Sequence, residues 1–100
     1  MKDKLIWDEP IADEDLDKKV DEYATSYYKK GTNIHHRTNG PARVYSSGLK
    51  AWRQNNKFHR LDGPAIEHTD GNKGEWWYKG EYIKCSSQKK FEQLIKLKAF

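Results

Sequence analysis

The chain has 100 residues and a formal net charge of +4; 35% of the residues are hydrophobic, 34% are charged, and there is one cysteine. This length suits one domain with a radius of gyration of roughly 13 Å. It leaves no run near the ~20 apolar residues of a membrane-crossing helix, and Cys85 has no second cysteine to pair with. Leu5, Ile6 and Trp7 run straight into Asp8 and Glu9, a pattern that predicts no secretory leader. With a lone thiol, the expected compartment is a reducing cytoplasm. One Met and three Phe stand against four Trp and six Tyr. A core built from rings is therefore expected, each ring removing about 150–250 Å² from water.

Along the chain, charge is the first signal. Residues 1–22 hold nine acids against four lysines, whereas residues 23–100 hold fifteen bases against six acids. An acidic arm on a basic body predicts either that the arm folds onto the body or that two surfaces of opposite sign are offered. Leu16, Val20, Tyr23, Ala24 and Tyr27 recur at helical spacing, with acids in the first turn. Residues 1–25 are therefore read as an acidic arm with a short helix from about Asp13 to Ala24. A competing pattern follows it. Tyr27-Tyr28-Lys29-Lys30-Gly31 matches Trp76-Trp77-Tyr78-Lys79-Gly80 in residue type, which predicts a strand over 26–30 that turns at Gly31.

An internal repeat dominates residues 26–85. His36-Arg37-Thr38-Asn39-Gly40-Pro41-Ala42 returns as His59-Arg60-Leu61-Asp62-Gly63-Pro64-Ala65. Ser47-Gly48, Lys50 and Trp52 return as Asp70-Gly71, Lys73 and Trp76, with one residue inserted around Gly74. Each copy is punctuated like a pair of strands. Ser47-Gly48 and Asp70-Gly71 read as hairpin turns, Asn55-Asn56 and Lys79-Gly80 as the next reversals. Pro41 and Pro64 exclude their segments from a ladder interior. The strands expected between turns are 42–46, 49–54, 58–60, 65–68, 75–78 and 81–84. Over 86–100, Ser86 or Ser87 can cap a helix in which Phe91, Leu94, Ile95 and Lys98 share a face that Leu97 and Phe100 widen. The fold class is mainly β with minor α: a single domain, a twisted antiparallel meander of repeated hairpins, an acidic N-terminal arm and a C-terminal helix.

The sequence His-Arg-x-Asp-Gly-Pro-Ala, followed by Asp-Gly, Lys-x-Trp and an Asn-Gly-like turn, resembles a repeat of small phage and bacterial proteins akin to MORN-type β-hairpin repeats. The resemblance covers about residues 27–84, and the ending Trp77-Tyr78-Lys79-Gly80-Glu81-Tyr82-Ile83-Lys84 plus a short helix extends it. Copy one departs at Asn39, Ser47 and Asn56. The resemblance implies a binding or scaffolding surface and, for a small phage protein, inhibition of a host defence factor in the host cytoplasm.

Asp62 beside His59 and Arg60 has the composition of an acid–base pair, but copy one places Asn39 there, which cannot exchange a proton. Asn and Asp both suit a turn cap on the backbone N–H two residues on. Arg37 and Arg60 fit either a ligand's phosphate or carboxylate or a stack on a neighbouring strand's ring, and their recurrence favours the stack. His35, His36, His59, His68 and Cys85 match no zinc spacing, so no metal or other cofactor is expected, and nothing near Cys85 predicts an activated thiol. No phosphate loop, nucleophile elbow or carboxylate pair marks an enzyme.

In a strand at 75–78, Trp76 and Tyr78 share one face while Trp77 points to the other, so both faces are apolar. One can take the C-terminal helix and the other needs a partner. The expected function is non-catalytic protein binding, anchored by Trp77, Trp52 and Tyr45 with Arg43, Arg53 and Lys79 at the flanks. The alternatives are RNA or single-stranded DNA on Arg37, Arg60, Lys50, Lys73 and Trp77, and self-association into a twofold dimer.

Overall fold

The computed structural model describes residues 5–69 and 74–98. The strands there are β1 (Leu16–Val20), β2 (Ala24–Lys29), β3 (Arg43–Tyr45), β4 (Lys50–Ala51), β5 (Arg53–Gln54), β6 (Lys57–Phe58), β7 (Ile66–Glu67), β8 (Gly74–Tyr78) and β9 (Glu81–Ile83), followed by helix α1 (Gln88–Lys98). Seven form one antiparallel sheet in the order β1-β2-β3-β4-β7-β8-β9, and β5 pairs with β6 as a separate hairpin. The strands expected at 42–46, 65–68 and 75–78 thus lie side by side with the first half of the one expected at 49–54; its second half, Arg53–Gln54, leaves the sheet to pair with Lys57–Phe58. The Asp70-Gly71 turn, Lys73 and Phe100 lie outside the described residues.

The helix expected from Asp13 to Ala24 is absent. A 3-10 turn over Asp13–Asp15 leads directly into β1, which pairs with β2 from Leu16↔Lys29 to Val20↔Thr25. An apolar pair at i and i+4 fits a strand as well as a helix, because four is a multiple of the strand period of two. Asp21 decides the matter: its carboxylate accepts the backbone N–H of Tyr23 (2.8 Å) and Ala24 (2.9 Å), closing a hairpin turn. Val20 and Tyr23, members of the supposed helical face, are 69% and 66% exposed.

The hairpin reversals are chemically alike. Asn55 and Asn56 have φ of 53° and 67°, Lys79 and Gly80 of 52° and 85°, the double positive φ of a primed hairpin turn. Gly31, at 74°, turns the earlier reversal predicted from the Tyr27–Gly31 match. Just before or beyond each turn a cross-strand pair forms: Tyr28↔His35, Arg53↔Phe58 and Trp77↔Tyr82.

The rings do not fill the interior as composition suggests. The buried apolar residues are Leu16, Ala24, Tyr27, Ala42, Ala51, Ala65, Ile83 and Phe91, half of them alanines, and all four Trp are half-buried. Small residues sit on the sheet while rings and guanidinium groups layer over them. The molecule is 21 Å in its shortest dimension, room for a sheet and one covering layer at the usual ~10 Å spacing.

That cover comes from both chain ends. Ser87 caps α1, its Oγ accepting the N–H of Lys90 (3.2 Å). Gln88 accepts the Trp76 indole N–H (2.8 Å) and donates to the Leu61 carbonyl (2.8 Å), which seats the helix on the Trp76 side of β8. Phe91 is completely buried, while Leu97 is 76% exposed and adds nothing to the docked face. Phe91→Ala is expected to cost about 3–5 kcal/mol; a urea midpoint equal to that of the parent would contradict this anchoring.

Candidate binding face of the sheet

Strand alternation divides the sheet. Ser26, Arg43, Ala51, Ile66 and Glu75 are aligned by register and share one face; Thr25, Val44, Lys50, Glu67 and Gly74 share the other.

The second face is covered, and the repeated His-Arg dipeptides organise it. His36 Nδ1 accepts the backbone N–H of Asn55 (3.0 Å), and His59 Nδ1 accepts that of Lys79 (2.9 Å). Each histidine therefore pins the turn of the following hairpin. Arg37 lies 3.9 Å over the Tyr27 ring and Arg60 3.8 Å over the Trp52 ring, contacts worth about 0.5–2 kcal/mol each. Each also donates back to its own loop, Arg37 to the Pro41 carbonyl and Arg60 to that of Pro64. Glycine at position 63 makes room for this, since a Cβ there would sit 2.7 Å from the Arg60 guanidinium carbon.

Both guanidinium groups are neutralised. Arg60 is held by Asp62 (2.9 Å) and Glu67 (2.7 Å). In copy one, where Asn39 replaces the aspartate, the arm's Asp13 engages Arg37 through both oxygens (3.0 and 2.7 Å). That bond holds the Asp13 carboxyl below its ordinary range. Asp62 does not cap a backbone N–H two residues on. The residue there is Pro64, as it is Pro41 in copy one, and proline has no N–H to cap.

Asp8 binds His59 Nε2 through both oxygens (2.9 and 3.1 Å). This arrangement has the composition of a proton-transfer dyad, but the His59 side chain is fully buried and both ring nitrogens are occupied. With Nδ1 accepting from Lys79, the proton sits on Nε2 and faces Asp8. Burial raises the Cys85 thiol pKa, the opposite of activation. Among the described residues no three His, Cys, Asp or Glu side chains gather as a metal site would require.

The first face carries a different population. The three cross-strand pairs project there as a row. Tyr28 and His35 lie 4.5 Å apart, Arg53 lies 4.2 Å over Phe58, Trp77 and Tyr82 are 5.5 Å apart, and Phe58 meets Trp77 at 5.1 Å. Arg43 lies 4.7 Å over Tyr45 on the same face. Among the described residues neither Arg43 nor Arg53 has a carboxylate partner, and the buried Nε of each, like His35 Nδ1, has no hydrogen-bond partner. Burial holds the Arg53 guanidinium and the His35 imidazole below their ordinary pKa values; Arg53 and Arg43 add to it at His35, while at Arg53 Tyr45 opposes it and Arg43 adds to it. Among the described residues the acids on this side are Glu75, which receives the Trp77 indole N–H and faces His68, Asp17, which receives the Gly31 N–H, and Asp21, whose carboxyl is held below its ordinary range first by the Tyr23 and Ala24 N–H groups and then by the Arg43 charge, which lies beyond ion-pair distance.

Of the residues expected to contact a protein partner, Trp77, Tyr45, Arg43 and Arg53 come together here. Trp52 points to the covered face under Arg60, and Lys79 sits exposed in the β8–β9 turn, 5.2 Å over Tyr78. Of the residues expected to contact nucleic acid, Arg37, Arg60 and Lys50 lie on the covered face, Trp77 on the open one, and Lys73 outside the described residues. Sequence reasoning missed Tyr28, His35, Phe58 and Tyr82, although alternation from Trp77 and the equivalence of the three hairpins points to them. No protein-family model, no curated protein and no solved structure matches the chain.

The histidine contacts make stability depend on pH. Burial, with Lys29 adding to it at His36, lowers the pKa of both His36 and His59, while Asp8 partly offsets the effect at His59. Each folded imidazole must stay neutral to accept a backbone N–H, whereas the unfolded one protonates near its ordinary value of about 6.5. The contribution is thus complete above that value and is lost as pH falls below it. Melting temperature should fall from pH 7.5 to pH 5, and His36→Asn should flatten the profile while lowering stability at pH 7.5. A parent profile without slope would refute the neutral, accepting imidazoles.

Proposed function

We propose that the chain is a non-catalytic protein-binding module whose open sheet face takes an acidic partner surface. The observation that carries this reading is the fate of the four arginines. Arg37 and Arg60 are each stacked and ion-paired; Arg43 and Arg53 are stacked but, among the described residues, have no carboxylate within ion-pair distance (Asp21 reaches Arg43 only through the longer-range field), and lie among Phe58, Trp77 and Tyr82 on the open face. Two partly desolvated cations side by side are unfavourable until a carboxylate reaches them, and guanidinium binds carboxylates through two parallel bonds. Aromatic rings around paired charges are the usual composition of an interface centre. The likeness of the repeat to small phage proteins adds the proposal that the partner is a host protein which the chain inhibits in the cytoplasm.

Single-stranded nucleic acid would use the same rings. It is the weaker reading, because Arg37 and Arg60 are already matched by carboxylates and only part of the basic set faces outward. One experiment separates the two. The tagged full-length chain is incubated with nuclease-treated extract of its natural cell and compared with Trp77→Ala and Arg43→Glu/Arg53→Glu. A single protein should be retained by the parent and lost at least tenfold by both variants, with far-UV circular dichroism unchanged; interface anchors of this kind cost about 2 kcal/mol or more. Retention untouched by the double charge reversal would overturn the proposal. Loss of all bound material on nuclease treatment, together with steeply salt-dependent oligonucleotide binding, would replace it with the nucleic-acid reading.

A further inference from the structure

The covered face presents a set of contacts separate from those of the open one. Residues 6–13 run across copy one and are gripped both through their backbone and through two carboxylates. Gln54 accepts the Asp8 N–H (2.7 Å) and donates to the Asp8 carboxylate (3.2 Å), and Asn55 donates to the Ile6 carbonyl (2.9 Å). Thr38 accepts the Ile11 N–H (3.0 Å), and Asn39 donates to the Ile11 carbonyl (3.2 Å). Two further side chains read charge: His59 takes Asp8, and Arg37 takes Asp13 five residues on. Trp7 packs against the His59 ring at 4.8 Å.

The repeat supplies its own control. The four backbone-reading positions of copy one are Thr38, Asn39, Gln54 and Asn55. Copy two has Leu61, Asp62, Tyr78 and Lys79 in their places. Leu61 has no polar side-chain atom with which to accept an N–H, and Asp62, an acceptor only when ionised, cannot donate to a carbonyl. Copy one therefore differs from copy two at each residue that holds the backbone of the extended segment. The paired use of N–H and C=O at Ile11 is how extended peptides are held without regard to their side chains.

The grip is also exchangeable in character. Ile6 is 63% exposed, and Trp7 and Ile11 are only half-buried, so the arm's apolar side chains are incompletely enclosed. Asp8 sits at φ 63°, a left-handed conformation uncommon for a non-glycine residue. Beside the arm lies a cavity of about 540 Å³ lined in part by Arg37, Trp52, His59 and Arg60, so the groove is wider than the segment that occupies it.

We infer that copy one is a receptor for an extended acidic peptide, in which an aromatic residue precedes one aspartate and a second aspartate follows five residues later, and that residues 6–13 are its built-in ligand. A partner bearing that pattern competes with the arm, so the chain's own segment sets the threshold for binding.

The test uses a fluorescein-labelled peptide of residues 5–15 and the full-length chain. Asp8→Ala/Asp13→Ala loosens the resident arm and should bind the peptide at least tenfold more tightly than the parent does. Adding Arg37→Ala should abolish binding, a peptide with both aspartates changed to alanine should not bind, and Arg43→Glu/Arg53→Glu should leave binding unchanged because it alters only the open face. No binding to a folded Asp8→Ala/Asp13→Ala chain at millimolar peptide would overturn the inference. Should that variant not fold, the parent is labelled with fluorotryptophan and the Trp7 resonance identified by Trp7→Phe. Excess peptide should move that resonance, and a resonance that stays in place overturns the inference equally.

Discussion

An imidazole nitrogen that accepts the N–H of the next hairpin's turn is the contact that joins one copy to the next. Without His36 the Asn55-Asn56 reversal has an unpartnered buried N–H, and without His59 the Lys79-Gly80 reversal has one. The neighbouring arginine works in the other direction, lying over the ring of the strand before it and bonding its own proline carbonyl. One dipeptide thus ties each copy forward through a hydrogen bond and backward through a cation–π stack. Completely buried Ala42 and Ala65, five residues beyond each arginine, keep the layer between these contacts thin. A chain poor in aliphatic residues gains cohesion in this way from stacked, hydrogen-bonded polar groups instead of from a bulky core.

The two ends of the chain then treat the copies differently. The helix covers the copy-two end by way of Trp76, Gln88 and the Leu61 carbonyl; the arm covers copy one by way of Thr38, the residue equivalent to Leu61. In copy two the arginine's anion is local, Asp62. In copy one it comes from 24 residues away, as Asp13. Asn39, one of the departures of copy one from the motif, is therefore not erosion of a repeat: with Thr38, Gln54 and Asn55 it is the complement of a segment that approaches from elsewhere in the chain, and the acidic charge of residues 1–22 is the electrostatic half of the same arrangement.

How much of this the sequence discloses follows from the range of each interaction. The Gly, Asn and Pro punctuation is local, so the hairpins of residues 42–83 and their order could be read directly, as could the opposite orientation of Trp76 and Trp77. The stacking of Arg37 and Arg60 could be read because it occurs twice. The hairpin over 16–29 could not, because spacing of four satisfies both periods and the deciding contact is a single Asp21 carboxylate on two backbone N–H groups. The placement of Trp52 was within reach: it adjoins Arg53, and alternation sends neighbours to opposite faces. Asp8 on His59 spans 51 residues and leaves no local trace.

Covering one face has a consequence for the other. Both coverings end on the side of Tyr27, Trp52 and Trp76, so no segment of the described chain is left for the row running from Tyr28 through Arg53 and Phe58 to Tyr82. A sheet with rings on both sides and a cover for one must leave the second set in water, where Tyr82 is 51% exposed. Guanidinium groups lie over the rings there, which hides part of each ring and keeps a charge at the surface. For the partner proposed above, the same device would make the face selective. An apolar surface of another protein would desolvate Arg43 and Arg53 without compensating them and is disfavoured, whereas an acidic one compensates both.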